Sequence, residues 1–292
     1  MKGTRFEYVL PNTAEMNRGG RGGVLQRWTL AESLGCSLVE IPADFVKNRS
    51  EVGITDLPIG SFLDARALRL LYRSDPVPSG CKVVFHTEPE LTVPGQLRWF
   101  DRIWVREFIE MQIGLAEHLG VVPFAIEIHP GNRPNSVADV LGGAASILEA
   151  FGKKFGREPL VLLENRTGQV VSDGKHLHDV WQHATSRGDA FTRCFGLVLD
   201  IQQLFTQSAG RTRDLSRFSE HFSMVPDCAV KAYHIHHLHR TPTLEDPIPW
   251  RAVFQSIRSK IGPFLINPEI HHARHVPAAI RFCTELLSPA LP

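Results

Sequence analysis

Short apolar runs alternate along the chain with longer segments in which apolar residues recur at helical spacing. The clearest helical segment is 101–120, where Trp104, Phe108 and Met111 fall on one face and Gly120 provides a C-terminal stop. Each strand-like run is followed by a helix-like segment. The strand-like runs are 6–10, 37–41, 82–86, 124–129, 160–165, 196–200, 230–236 and 264–270. The helix-like segments are 24–35, 62–74, 101–120, 136–152, 175–188, 213–224, 250–262 and 276–288.

Strict alternation of strand and helix predicts parallel strands joined by helical crossovers. Eight such units in 292 residues predict an α/β protein with a (β/α)₈ TIM barrel fold, and we expect one domain over residues 1–292. The alternative is an open doubly wound sheet. That fold often carries a glycine-rich phosphate loop after the first strand, and residues 17–23 (NRGGRGG) match neither GxGxxG nor GxxxxGK[ST]. The barrel is therefore the favoured fold.

Composition and charge narrow the class of protein. Apolar residues make up 43% of the chain and charged residues 22%, as in a globular protein with a large core. The net charge of +1 provides no global attraction to nucleic acid or membranes. No run is long enough for a transmembrane helix, and five scattered cysteines without a CxxC motif favour reduced thiols and a cytoplasmic location. Fourteen histidines are many for this length and suggest metal or proton chemistry.

Polar residues stand at the ends of the strand-like runs. In a barrel, the carboxyl ends of all strands meet at one mouth, where active sites form. Carboxylate and imidazole groups together suit divalent ions, and buried carboxylates are costly without a cation or hydrogen-bond donors. The sequence therefore predicts a metal site at this mouth. The strand-end residues are Glu40, His86, His129, Glu164, Asp200, His234, His236 and Glu269.

The segment AYHIHHLHR, residues 232–240, holds four histidines in six positions. His234 and His236 share one face if the strand continues, because side chains repeat every two positions, and His237 points the opposite way. His239 lies in the following loop. Spacing alone does not say which of the four binds a metal.

Several of these strand-end motifs resemble the xylose-isomerase-like barrels, and most nearly the endonuclease IV group of apurinic-site nucleases. LENRTGQ (163–169) is similar to the Leu-Glu-Asn-x-x-Gly-Gln element of that group, and IHPG (128–131) to its His-Pro-Gly element. VVFH (83–86), LVLDIQQLF (197–205), the segment 230–240 and FLINPEI (264–270) resemble further strand ends. The resemblance implies a divalent cofactor, Zn or Mn, as one or two ions. The metal ligands that it implies are His86, His129, Glu164, Asp200, His234 and Glu269, with Glu164 and Glu269 as catalytic residues.

The resemblance leaves two activities open. The first is a hydrolase that cleaves phosphodiesters, including abasic DNA, with metal-activated water. The second is a sugar isomerase or epimerase that moves a proton next to a carbonyl, with one ion on Glu164, Asp200, His234 and Glu269. Gln203 stands where the nucleases have a histidine that binds a third metal, so a three-metal centre is not expected. The absence of that histidine is compatible with the second activity, which needs a single ion. The extra matches at His86 and His129 favour the first.

Substrate contacts are expected from loop residues near the mouth. The expected substrate is a small sugar, a small phosphoester or abasic DNA. Binding of abasic DNA would require basic loops that hold its phosphates. A binding protein without turnover is a third class that the fold alone permits. The expected substrate-binding residues are His236, His239, Gln203, Arg166 and Arg240, and further arginines in the βα loops are Arg18, Arg21, Arg211 and Arg213.

Overall fold

The computed structural model confirms the barrel. It describes residues 5–17, 20–47, 53–87, 97–210, 212–260 and 262–288, so Arg18 and Arg211 lie outside the described residues. Within these ranges, parallel strands form a closed barrel in chain order, and β1 pairs with β8 through Tyr8 and Ile266. The strands are β1 (Arg5–Leu10), β2 (Leu38–Pro42), β3 (Lys82–His86), β4 (Ala125–Ile128), β5 (Leu160–Glu164), β6 (Phe195–Asp200), β7 (Val230–His234) and β8 (Pro263–Asn267).

Helices surround the barrel and cover its outer face. Most lie where the sequence predicts them, with ends that differ by a few residues. The described helices are α1 (Val24–Ser33), α2 (Ala65–Leu71), α3 (Arg102–Leu119), α4 (Val137–Phe155), α5 (Gly174–Thr185), α6 (Asp189–Cys194), α7 (Ile201–Ala209), α8 (Leu215–Met224), α9 (Trp250–Ser259) and α10 (Val276–Leu287), and two 3₁₀ turns span Ala14–Asn17 and Ala273–His275.

Local sequence signals explain several helix ends. The capping box at the start of α4 is present: the Ser136 hydroxyl accepts from the Asp139 N–H, and the Asp139 carboxylate accepts from the Ser136 N–H. Gly120 ends α3 in the left-handed conformation, which costs glycine little. Asp200 ends β6 and also caps α7, because its Oδ1 accepts from the Gln203 N–H at 2.9 Å. These caps fix where each strand passes into the next helix.

The barrel interior contains one apolar layer, to which every strand contributes one side chain. All eight members are at least nine-tenths buried. Inward-facing residues of a barrel alternate along each strand, so the residue two positions later faces the next layer toward the mouth. The apolar layer therefore lies directly beneath the inward-facing side chains at the barrel mouth. Its members are Val9, Leu38, Val84, Ala125, Leu162, Val198, Ala232 and Leu265.

Two further expectations can be compared with the structure. All five cysteines are free, in agreement with the expected thiols. In the described part of the chain, no helix combines the length and the apolar character needed to cross a bilayer.

Candidate metal centre

A ring of polar side chains lies directly above the apolar layer. On seven strands, β2 to β8, the residue two positions after the apolar residue is polar and buried. Four of these residues are carboxylic acids, and burying that many acids without compensation is costly. The ring consists of Glu40, His86, Glu127, Glu164, Asp200, His234 and Asn267.

A first group of potential metal ligands combines the ends of β3, β4 and β5. His86 Nε2 lies 3.2 Å from His129 Nε2 and 3.4 Å from Glu164 Oε2. His129 Nε2 lies 3.8 Å from the same Glu164 oxygen. Ligands about 2.0–2.2 Å from a tetrahedral zinc ion are separated from one another by roughly 3.2–3.6 Å. Two of the three distances lie in this range and the third exceeds it by about 0.2 Å, so the group is close to the geometry of a shared divalent ion.

A second group lies beside the first. Ligand atoms of Asp200, His234 and Glu269 all lie within 4.8 Å of one another. His234 Nδ1 is 3.5 Å from Glu269 Oε2 and 3.4 Å from Glu164 Oε2. Glu164 therefore faces both groups, with the same oxygen directed at each.

Buried polar atoms without a hydrogen-bond partner test whether these residues suit a metal. Glu164 Oε2, Glu269 Oε2 and His234 Nδ1 are buried and have none, and neither do Glu127 Oε1 and His129 Nδ1. Buried polar atoms are nearly always satisfied in folded proteins. A divalent cation would satisfy the three atoms that meet at His234 Nδ1. The donor set, imidazole nitrogen with carboxylate oxygen, suits Zn or Mn.

Three residues of the polar ring contact the candidate ligand histidines; Glu40 was predicted as a strand-end residue of the site, whereas Glu127 and Asn267 were not. Glu40 Oε1 lies 3.1 Å from His86 Nδ1, and the Asn267 amide donates to Glu40 Oε2 at 2.7 Å. Glu127 Oε1 lies 2.8 Å from His234 Nε2. Carboxylates placed against the remote nitrogen of a histidine orient its ring toward a metal. Glu127 was detectable as the single charged residue of the apolar strand AIEI.

The histidines after β7 have different surroundings. The His239 N–H donates to His236 Nδ1 at 3.1 Å. The proton of a neutral His236 ring is therefore on Nε2, which lies 3.3 Å from Asp200 Oδ2 and 3.0 Å from Glu269 Oε2. His236 is thus hydrogen-bonded to one potential ligand, Asp200, and lies close to a second, Glu269. The His239 ring stacks between His236 and His271, whereas His237 turns away to Asp246, with Nδ1 and Oδ1 2.8 Å apart.

Burial and charge shift the pKa values in opposite directions at neighbouring positions. Burial raises the pKa of Glu164, against the attraction of His234 and His129. Burial also lowers the pKa of His129 to about 3, with a smaller contribution from the positive charge of Arg166. For His234, burial opposes the charged form, but the negative charges of Glu127 and Glu164 outweigh it and raise the pKa well above its usual value. The carboxylates that face His234 thus favour its charged form, whereas His129 is kept neutral.

A cavity of about 390 Å³ opens above the metal centre, and His86, Glu269 and His239 form part of its wall. Arg166 also lines it, and its side chain is partly buried. Arg240 is exposed and does not line this cavity. The wall of this cavity therefore includes residues of both candidate ligand groups.

Two other residues expected to contact substrate are occupied by the protein itself. The Gln203 side-chain oxygen accepts from the Thr167 N–H at 3.3 Å, which links the loops after β5 and β6. Arg21 is 5% exposed, and its guanidinium donates to Asp44 O, Phe45 O and the Tyr72 hydroxyl. The donors of Arg21, one of the arginines in the predicted βα loops, are thus used inside the protein and are not available to a phosphate at the mouth.

The fold of this chain is similar to that of known protein structures. No protein-family model matches the chain, and no curated protein matches it in sequence. Among solved structures, a xylose isomerase domain containing protein from Salmonella typhimurium superimposes with a TM-score of 0.57 at 14% identity, over 98% of this chain and 99% of that one. The chain has the fold of the xylose-isomerase-like barrels.

Two further neighbours of this fold have different activities in their names. A family 2 AP endonuclease from Brucella melitensis superimposes with a TM-score of 0.55 at 12% identity, covering 97% of this chain and 98% of that one. A D-allulose 3-epimerase from Methylomonas sp. gives 0.55 at 12% identity, covering 98% and 100%. The xylose-isomerase-like fold therefore accommodates both activities considered from the sequence, and the choice depends on the residues of the site.

Proposed function

We propose that the protein is a divalent-metal-dependent hydrolase that cleaves phosphoesters. The observation that carries the proposal is the position of Glu164. Its Oε2 lies 3.4 Å from His86 Nε2 in the first ligand group and 3.4 Å from His234 Nδ1 in the second. Two-metal hydrolases use ions about 3.5–4 Å apart, which a carboxylate between two ligand groups can serve. A single-ion enzyme does not require the first group.

The side chains of the site have distinct roles in this proposal. Bound divalent ions would supply Lewis acidity, which polarises a phosphoryl oxygen and activates water. Glu164 holds the two ligand groups together. Glu269 lies on the cavity wall with 19% of its side chain exposed, so it can accept a proton from the attacking water. His236 Nε2 lies 3.0 Å from that carboxylate, and its hydrogen-bond partner is Asp200 Oδ2.

Hydrolysis of an activated phosphodiester by the metal-loaded protein tests the proposal. Protein loaded with Zn or Mn is expected to hydrolyse bis(4-nitrophenyl) phosphate, to lose this activity on chelation and to regain it when the metal is restored. Glu269→Gln should lower kcat and also weaken metal binding at the second ligand group, because Glu269 is both the proposed proton acceptor and one of that group's ligands. Metal-loaded protein that hydrolyses neither this diester nor an abasic duplex would refute the assignment.

A second candidate is a single-ion sugar isomerase or epimerase. Asp200, His234 and Glu269 form one ligand group, and Glu164 adjoins it, which completes the Glu-Asp-His-Glu set. Gln203 is hydrogen-bonded to the β5 loop, as suits a site without a third metal. This candidate predicts one ion per chain and exchange of a carbon-bound proton of a ketohexose such as D-allulose with solvent deuterium. Two ions per chain without such exchange would eliminate it.

A further inference from the structure

We infer that Arg166 forms an anion subsite in the cavity above the metal centre and binds the phosphate of a small phosphoester. The inference rests on the proposed function, because it names the substrate class of the same site. Arg166 follows Glu164, the last residue of β5, by two residues and lies at the start of the loop at the barrel mouth. It lines the cavity together with His86 and Glu269, which belong to the two ligand groups.

The backbone holds Arg166 in a fixed place. Its N–H donates to Val171 O at 2.9 Å, and its carbonyl accepts from the Gln169 N–H at 3.1 Å. The Gln169 side-chain oxygen accepts in turn from the Gly131 N–H at 2.8 Å, which attaches the loop to the segment after β4. The guanidinium is therefore carried by a braced turn and not by a free loop.

The guanidinium itself is left available. Within residues 5–17, 20–47, 53–87, 97–210, 212–260 and 262–288, it makes no hydrogen bond or ion pair, although acidic side chains line the same cavity. Two of these have other partners: Glu40 contacts His86 and Asn267, and Asp44 contacts Lys47. A guanidinium presents five donors and binds phosphate through paired hydrogen bonds. The donors of Arg166 thus face the cavity with no partner in the described protein.

The size of the cavity and the surroundings favour a small phosphoester over a nucleic acid duplex. The volume of about 390 Å³ lies within the range of roughly 300–1,000 Å³ that small-molecule sites occupy. Arg21, another arginine of the βα loops, is buried and hydrogen-bonded internally. Arg213 and Arg240 are exposed and do not line the cavity. Lys47 also lines the cavity, and its ammonium pairs with Asp44 at 2.8 Å. Arg166 is therefore the arginine placed to bind phosphate in this cavity.

Calorimetric titration of the metal-loaded protein with inorganic phosphate tests this inference. Arg166→Ala should weaken phosphate binding by about tenfold to a hundredfold, because charge-assisted hydrogen bonds are lost. Arg166→Lys should give an intermediate affinity, since lysine keeps the charge without the paired geometry. Arg251→Ala is the matched control: Arg251 is exposed on α9, away from the cavity, and its loss should leave the affinity unchanged.

Metal content is measured on the same samples, so the two proposals fail separately. Wild-type protein without bound metal would refute the proposed function. Metal-loaded Arg166→Ala that binds phosphate within twofold of wild type would overturn the subsite and leave the metal centre intact, as would a wild type that binds no phosphate. An abasic duplex that binds the metal-loaded protein tightly and equally well after Arg166→Ala would also overturn it.

Discussion

Glu127 contacts His234, a proposed metal ligand, and is not among the ligands that the sequence indicated. Its Oε1 lies 2.8 Å from His234 Nε2, and its side chain is buried. Glu127→Gln removes the negative charge and keeps the shape. We expect metal affinity to fall by about 10- to 100-fold, as for other residues that orient a metal-binding histidine, with the fold retained. Competition with a chelating dye measures the affinity.

Glu7 provides the matched control for this change. It is a carboxylate on β1, and it pairs with Lys82 at a distance of 2.8 Å at the opposite end of the barrel. Glu7→Gln should leave metal affinity unchanged. Equal losses of affinity in the two variants would show that the effect of Glu127→Gln is not specific to His234.

At the level of single residues, the alternation of side chains explains what sequence reasoning found and missed. The ends of β3 and β6 match the prediction, whereas β5 and β7 end one and two residues earlier than predicted. His86, Glu164 and His234 are nevertheless predicted as members of one mouth. On β4, the run was extended to His129, and Glu127 was passed over although it faces the same side. On β8, the strand ends at Asn267, and Glu269 approaches His236 from the following loop. Proximity of ligand atoms from different strands needed coordinates.

At the level of elements, close packing of α5 against α8 depends on a glycine. A Cβ at Gly174 would overlap the carbonyl oxygen of His221 in α8, and a backbone atom cannot rotate away. Gly174→Ala is therefore expected to lower the free energy of unfolding by about 1–3 kcal/mol. Urea unfolding, followed by circular dichroism, measures the change.

Gly142 in α4 provides the control for Gly174→Ala, because an alanine at position 142 is expected to stabilise the fold. Nothing lies within 4 Å of a Cβ built there. Gly142→Ala should raise the free energy of unfolding by about 0.5–1 kcal/mol, because alanine favours the helix. If both alanine variants shifted the free energy alike, the contact between α5 and α8 would not be as close as described.

Helix prediction failed where the sequence lacks a strong period. The sequence predicts one weak helix near 213–224 after β6, whereas the structure has α7 (Ile201–Ala209) before it. The sequence signal for α7 was Asp200, which ends β6 and caps the N-terminus of α7. Because Asp200 was interpreted as a candidate metal ligand, its role as a helix cap was not recognised. The short α6 (Asp189–Cys194) was also missed, because six residues are too few to show periodicity.

At the level of the whole molecule, the barrel brings together side chains that lie far apart in sequence. The strict order of strands and helices predicted this correctly, because parallel strands must return through crossovers in the same direction. Closure of β1 against β8 then brings Glu40 within 2.7 Å of Asn267, although 227 residues separate them. The chemistry therefore depends on the complete barrel and not on one motif.

Metal binding should consequently stabilise the whole fold. The ligands come from several strands and their following loops, so the unfolded chain does not present the site. An ion that binds only the folded state at 100 times its dissociation constant adds about 2.7 kcal/mol to the free energy of unfolding. Zn or Mn is expected to raise the unfolding temperature in differential scanning fluorimetry, and a chelator to reverse the shift. An unfolding temperature insensitive to both metals would contradict a shared site.

Metal content of purified variants tests the central claim most directly. Wild-type protein supplied with Zn and Mn and purified without chelator should carry one or two ions per chain by elemental analysis. Glu164→Gln should lose most of this metal while it remains folded, because Glu164 faces both ligand groups. His237→Ala should keep it, because His237 pairs with Asp246 outside the ligand groups. Metal retained by Glu164→Gln but lost by His237→Ala, or wild-type protein with no metal at all, would contradict the account.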